Sequence, residues 1–494
     1  SASEVIDCCI ENNIDTEWLL DQQAIVWVDK NAESFINYAA KDPFAETLLS
    51  ALEFLCSPNT LTPYLINSQD FDVLSVAITG LGKLQLGNNN DAHYLKELAE
   101  EAPIVELVKS VFAQAIDNNA SDIHLEPEES SFKIRFRIDG VLSTRMTLSR
   151  EKFDAMASRI KLISSIDIAE RRLPQDGSIS TRASGMDVDI RVSTLPGVFG
   201  ESIVMRLLPK DRSKLNLASL GLFDDHLKQM ERWVREPHGI ILVTGPTGSG
   251  KSTTLYTALD ETNENDKKII TVEDPVEFKL KGITQIQANP DIGLTFASAL
   301  RSILRQDPDV IMIGEIRDLE TAEIAIQSAL TGHLVLSTLH TNDSISAFTR
   351  LIDMGVEPFL VATPIIATQA QRLVRRLCEH CSQPSPRPPV IGDETAALAA
   401  SLKLNITENW RISKGCDKCQ MTGYKGRVGI YEMIDVGSAM QAMIVERASV
   451  ESMYQLAKSQ GFRTLREDGL LKAMQGLTTS EEVLRITRSS STDK

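Results

Sequence analysis

The apolar run "GIILV" at 239–243 reads as a buried strand, and one residue later the chain enters "GPTGSGKSTT" at 245–254, where seven of the first eight residues are Gly, Pro, Ser or Thr. A core strand that ends in so flexible a loop, with a lysine at its far end, suits a polyanion that takes many backbone N–H groups and one positive charge. Gly245, Gly250, Lys251 and Ser252 satisfy the G-x-x-x-x-G-K-[ST] spacing. In that pattern glycines let amides turn inward, a helix N-terminus adds its dipole, the lysine reaches the β/γ-phosphates and the hydroxyl serves Mg²⁺. Gly245, Pro246, Thr247, Gly248, Ser249, Gly250, Lys251, Ser252 and Thr253 are therefore the expected phosphate-binding set. A chance glycine-rich turn is the plain alternative; the helix-compatible "TTLYTALDE" that follows counts against it.

From Leu220 onward the strand candidates "GIILVTG", "KIITVED", "DVIMIGE" and "HLVLSTLH" alternate with helical segments. Such alternation builds an α/β domain around a mostly parallel sheet, with the ligand at the C-terminal ends of the strands. A phosphate cradle alone hydrolyses nothing, so carboxylates must hold the metal and orient water. Glu315 follows one apolar strand, and Glu273, Asp274 and Glu277 cluster at the end of another. His340 closes "LVLSTLH"; a histidine at a strand end is by itself more often structural, but strand ends that surround a nucleotide make it a candidate to contact the γ-phosphate, whereas His333 reads equally well as structural. Arg191, Arg206, Arg301, Arg305 and Arg317 are candidates to meet charge on the γ-phosphate from the same or a neighbouring subunit. Each alone also reads as a salt-bridged surface side chain.

At 494 residues the chain is too long for one core, and its domains are expected to number three or four. Residues 1–86 carry helical periodicity in "DPFAETLLSALEFL", where Phe44, Leu48, Leu49, Leu52 and Leu55 can form one stripe, and read as a small helical domain. A polar linker at 87–101 precedes an α+β unit at 102–210, whose "SFKIRFRIDGVLSTRM" is a hairpin around Asp-Gly. A connection at 211–219 leads to the α/β domain at 220–377, a cysteine-bearing lobe at 378–432, a helical region at 433–487 and a disordered tail at 488–494. The net charge of −17 repels phosphate backbones and argues against a nucleic-acid partner. No apolar run approaches the ~20 residues of a membrane helix, and the N-terminus lacks a basic region and an apolar secretory core, so the expected location is the cytoplasm.

Four of the seven cysteines form two C-x-x-C pairs, Cys378 with Cys381 and Cys416 with Cys419, 34 residues apart. Four thiolates at such spacing match a closed structural Zn²⁺ site, with His380 expected outside it. Cys8, Cys9 and Cys56 read as small buried apolar residues.

Together these stretches resemble the type II secretion and type IV pilus assembly ATPases. "GPTGSGKSTTLY" is similar to their Walker A, "TVEDPVEF" to the Asp box, "DPDVIMIGEIRD" to Walker B and "TGHLVLSTLHTN" to the His box, over a span from Ala102 to Thr487. The resemblance implies a RecA-like P-loop motor domain behind a PAS-like α+β domain. It also implies a homohexamer that binds ATP between these two domains and drives pseudopilus or pilus assembly from the inner-membrane surface. By position, Lys251 and Ser252 would bind phosphate and Mg²⁺, Glu315 would act near the metal, and Glu277, backed by Glu273, would activate water. The five arginines match those such motors place around phosphates. "IDMGVEPFLVA" and "QRLVRRLC" lean toward type II secretion, with pilus extension as the alternative. In this family the N-terminal region docks on the cytoplasmic part of an inner-membrane protein, and a platform protein in that membrane is a further partner. The absence of an "RLG" signature there argues against cyclic-di-GMP control.

Overall fold

The computed structural model describes residues 4, 5, 8, 9, 12, 14, 16–28, 35–68, 70, 71, 73–75, 78, 101–209, 216–263, 266–386 and 389–488. Nearly all of the expected linker, the start of the 211–219 connection and the tail beyond 488 lie outside the described residues. The N-terminal unit comprises α1 (Thr16–Asp21), β1 (Ala24–Val28), β2 (Phe35–Ala40), α2 (Glu46–Leu55) and β3 (Thr60–Leu65). β1 runs antiparallel to β2, and β2 parallel to β3. The all-helical expectation for 1–86 is therefore corrected: "AIVWV" and "FINYAA" are β-branched and aromatic runs too short to show a helical period. Leu48 and Leu52 of α2 pack with Val26, Ile36 and Tyr38, whereas Phe44 precedes the helix and is exposed. Cys8, Cys9 and Cys56 are buried in this core.

The second unit runs α3 (Ala102–Asp117), β4 (Ala120–Pro127), β5 (Ser131–Ile138), β6 (Val141–Ser149), α4 (Glu151–Ile163), β7 (Gln175–Ala183), β8 (Met186–Gly197) and β9 (Gly200–Pro209). Its strands form one antiparallel sheet ordered β6-β5-β4-β9-β8-β7. Asp139 and Gly140 turn the β5–β6 hairpin, both at positive φ, as that dipeptide allows. Ile190, Val192, Met205 and Leu207 face the core shared with Phe112 of α3 and Ile160 of α4. Strand alternation then sends Arg191 and Arg206 to the opposite face.

In the remainder, a 3₁₀ turn (Leu217–Leu220) leads into α5 (Asp224–Trp233), β10 (Gly239–Thr244), α6 (Lys251–Thr262), β11 (Ile269–Glu273), β12 (Thr284–Gln287) and α7 (Phe296–Ile303). Then come β13 (Val310–Ile313), α8 (Leu319–Leu330), β14 (Leu334–Leu339), α9 (Ser346–Asp353), α10 (Pro358–Ala362) and β15 (Ile365–Leu377). The lobe holds β16 (Gln383–Pro384), α11 (Gly392–Ser401) and β17 (Arg411–Ile412); β18 (Tyr424–Asp435), α12 (Ser438–Val445), α13 (Val450–Ser459), α14 (Leu465–Met474) and α15 (Ser480–Thr487) complete the described fold.

The central sheet is ordered β12-β11-β13-β14-β10-β15-β18, parallel except for β18. Continuous apolar runs in β10, β13 and β14 reflect burial on both faces: Ile240, Leu242, Ile311 and Val335 enter one core, while Ile241, Val243, Met312 and Leu336 enter the other. β18 begins inside the span expected for the cysteine lobe and runs past its end, yet it pairs with β15 and buries Ile430, Tyr431, Met433 and Ile434. The lobe is therefore an excursion between two neighbouring strands of the main sheet.

Candidate nucleotide site and thiol cluster

Parallel register brings the candidate site residues to one edge. Thr244 pairs with Leu339, Ile313 with Ser337 and Val272 with Ile313, so the loop after β10, Glu273, Glu315 and His340 all follow from aligned strand ends. Thr244 Oγ1 donates to the Thr341 carbonyl and accepts from the Thr341 amide, each at 2.9 Å, which fastens the turn after His340 to the start of the loop. Gly245 and Gly250 lie at φ 143° and 93°. A Cβ on Gly245 would stand 2.5 Å from the Gln371 carbonyl, so only glycine fits. Lys251 opens α6, and its Nζ donates to the Gly245 and Pro246 carbonyls at 2.8 and 3.3 Å. Burial lowers its pKa, opposed by the Glu315 charge. A loop of this shape on a parallel sheet is the architecture of P-loop nucleotide-binding proteins.

Glu315 pairs with Arg317 and, at 3.5 Å, with His340 Nε2. Burial lowers the His340 pKa, the Lys251 charge adds to this, and Glu315 works against it; the net direction favours a neutral ring. Thr338 Oγ1 donates to the Gly314 carbonyl at 2.7 Å and holds the peptide just before Glu315.

Glu273 is buried with both oxygens taken. Tyr256 O–H reaches Oε2, while Thr271 Oγ1 and Gln285 Nε2 reach Oε1 at 2.6 and 3.1 Å. The Tyr256 oxygen also accepts the Glu277 amide at 3.2 Å. Both Glu273 oxygens already accept hydrogen bonds, so beside the role expected of it behind Glu277 its position suits it to hold Tyr256 and, through it, the backbone of Glu277. The Glu277 carboxylate, half-buried, has no ion pair among the described residues.

The five arginines do not converge. Arg191 Nη2 crosses from β8 to the Val276 carbonyl at 2.9 Å, joining the second domain to the Asp box, and Arg317 grips Glu315. Arg206 pairs instead with Asp122 at 3.1 Å, Arg301 with Glu320 on α8, and Arg305 with the Arg301 carbonyl and Ser302. Within a single chain, then, Arg191 and Arg317 reach the Asp box and Glu315, while the other three candidates take partners elsewhere. Long side chains on exposed helix faces take the nearest acceptor, which residue type alone does not reveal. His333 is structural, its Nδ1 lying 2.8 Å from the Ser328 carbonyl.

Cys378, Cys381, Cys416 and Cys419 place their sulfurs within 4.8 Å of one another. The closest pairs, 378 with 416, 381 with 419 and 416 with 419, stand at 3.9, 3.8 and 3.8 Å. Thiolates ~2.3 Å from a tetrahedral ion would lie ~3.8 Å apart, so the residues fit one metal. His380 is exposed and outside the group. Burial raises the Cys419 pKa, but amides of Cys416 and Gly423, each 3.2 Å from its sulfur, outweigh this and bring it to about 6. Backbone N–H groups aimed at sulfur stabilise a thiolate.

Sequence reasoning missed Tyr256, Gln371 and Glu432. Glu432 on β18 is buried; its Oε1 accepts from the Ser344 amide at 2.9 Å and hydroxyl at 2.5 Å, and so holds the turn that follows His340. For Gln371 a signal was present: "TQAQ" at 368–371 sets polar residues inside a strand whose other residues are largely apolar.

The family described as "Type II/IV secretion system protein" matches residues 97–485. "Type II secretion system protein E" of Pseudomonas aeruginosa is 50% identical over 394 residues, 80% of this chain and 77% of that protein. "Type II secretion system ATPase E" of Vibrio cholerae is 48% identical over 406 residues, 82% of this chain and 79% of the other. Among solved structures, the pilus retraction motor PilT with bound ADP superposes with a TM-score of 0.51 at 27% identity, covering 76% of this chain and 96% of that one. The Legionella pneumophila ATPase DotB shares the fold, with a TM-score of 0.57 at 22% identity over 78% of this chain and 96% of that one. The chain belongs to the type II/IV secretion system protein family. Among the described residues, no helix is long and apolar enough to cross a membrane.

Proposed function

We propose that this chain is the ATPase of a type II secretion system, hydrolysing ATP to drive pseudopilus assembly. The observation that carries the reading is the single edge at which the glycine-rich loop, Lys251, Glu315 and His340 meet, with Arg191 reaching the Asp box from the second domain. Loop amides and Lys251 bind the phosphates of ATP, and a neutral His340 beside Glu315 can donate to the γ-phosphate. Glu277 accepts a proton from the attacking water. Ser252 and Glu315 would hold Mg²⁺, which neutralises phosphate charge when bound. Arg191 and Arg317 stabilise negative charge within the chain, while Arg206, Arg301 and Arg305 are left to other surfaces, including a neighbouring subunit of a homohexamer.

The thiol cluster is a structural Zn²⁺ site. In the second domain β4 lies beside β9 at the centre of the sheet, which supports the PAS-like reading. Docking of the N-terminal unit on an inner-membrane partner would place the motor at the cytoplasmic face of that membrane. Phosphate release by Lys251→Ala tests the reading: turnover should fall at least ~100-fold, because the cradle loses the lysine charge that meets the phosphates. Turnover within a few-fold of the parent would sink it.

A further inference from the structure

The hold on the phosphate loop comes from outside it. Helix α6 begins at Lys251 with Gly250 as its N-cap, a residue that has no side chain with which to cap it. A buried glutamine on the neighbouring strand holds the Ser249–Gly250 peptide instead. Gln371, 2% exposed on β15, donates from Nε2 to the Ser249 carbonyl at 2.8 Å. Its Oε1 accepts from Thr254 Oγ1 and from Gln369 Nε2, both at 2.8 Å. A carbonyl can only accept, so the Ser249 contact fixes which end of the Gln371 amide is nitrogen.

In a trans peptide the C=O and N–H point in opposite directions. With the Ser249 oxygen drawn toward β15, the Gly250 N–H turns away from it, into the loop, and no acceptor within the described residues takes that N–H. The Gln371 backbone carbonyl also closes on Gly245, where it excludes any Cβ. One residue thus contacts the loop at both ends.

We infer that Gln371 is a positioning residue for phosphate binding: its side-chain amide holds the Ser249–Gly250 peptide so that the Gly250 N–H faces the phosphates. The inference rests on the ATPase reading above. Because the aimed amide meets phosphate in the bound substrate and in the transition state alike, its loss raises KM more than it lowers kcat.

The experiment compares the full chain with Gln371→Glu, Thr254→Val and Lys251→Ala, measuring steady-state ATP hydrolysis and the rise in melting temperature caused by ADP. Gln371→Glu keeps the shape but turns an acceptor onto the Ser249 oxygen. KM for ATP should rise by about 10- to 100-fold, the scale of one hydrogen bond to a charged group, and the ADP-induced rise should shrink accordingly. Thr254→Val leaves the Ser249 contact but frees one side of the glutamine amide; KM should rise by about two- to fivefold with the ligand-free melting temperature retained. A purely structural glutamine predicts a lower ligand-free melting temperature with the ADP-induced rise intact, and that result overturns the proposal. If Gln371→Glu does not fold, Thr254→Val decides, and a KM equal to the parent's overturns it. A parent chain that neither turns over ATP nor is stabilised by ADP removes the ATPase reading itself. A parent that does both, beside a dead Lys251→Ala and an unaltered Gln371→Glu, removes only the role of Gln371.

Discussion

Glu432 shows how much one buried side chain can carry. Burial is the main force on its carboxyl and pushes its pKa up to about 7, against the Ser344 hydroxyl and amide and the Leu465 amide, with Asp343 adding to the rise. Tyr454 and Arg372 also face it. Because the folded value lies above the unfolded one, the native state keeps a proton that the unfolded chain has lost between about pH 4.5 and 7. The stabilisation is therefore complete below this window and is lost as pH rises through it, by roughly 3 kcal/mol at most. Glu432→Gln cannot titrate, so its melting temperature should gain several degrees on the parent's between pH 5 and 7.5. Scanning calorimetry at both pH values checks this; a constant gap would show that the carboxyl does not titrate in that window.

At the scale of elements, β15 and β18 join the motor sheet to the thiol lobe. β15 runs into Cys378 and β18 begins at Tyr424, just past Cys419, so a metal held by the four sulfurs would pin both strand ends. Cys416→Ser removes one ligand of four. Metal analysis after gel filtration should fall from about one zinc per chain to near zero, since a closed site depends on all its thiolates. Hydrogen exchange should rise around 411–423 while ADP binding at the loop is retained. Undiminished zinc in the variant, or none in the parent, would contradict the assignment.

Across the whole molecule, hydrogen bonds among the described residues join the second domain to the rest of the chain at three places. Arg191 meets the Val276 carbonyl at 2.9 Å, Asp139 accepts the Gly426 amide at 2.8 Å, and Gln420 contacts Asn118 and Arg145. The first of these lies one residue before Glu277, the acid proposed to take the proton from water, so it ties the second domain to that part of the proposed site. Arg191→Ala should lower kcat/KM for ATP by about tenfold or more, below the ~10³- to 10⁵-fold of a full arginine finger because the guanidinium is engaged by the Val276 carbonyl, without shifting the melting transition of the motor domain. A kcat/KM equal to the parent's would exclude a catalytic contribution from this contact.

The glycine pattern, the strand–helix alternation and the two C-x-x-C pairs were legible in the chain because each is local: the spacing of a few residues determines the backbone or the ligand set. The partners of the arginines were not, since a guanidinium pairs with whatever acceptor folding brings near, and Arg301 and Arg206 found Glu320 and Asp122. Nor was the three-stranded N-terminal sheet legible, because pairing between β1, β2 and β3 joins segments whose short runs carry no decisive period. The grips of Gln371 on Ser249 and of Glu432 on Ser344 span 122 and 88 residues. Only the packing of neighbouring strands could bring those atoms into contact, so tertiary structure alone decided how the loop and the His340 turn are held.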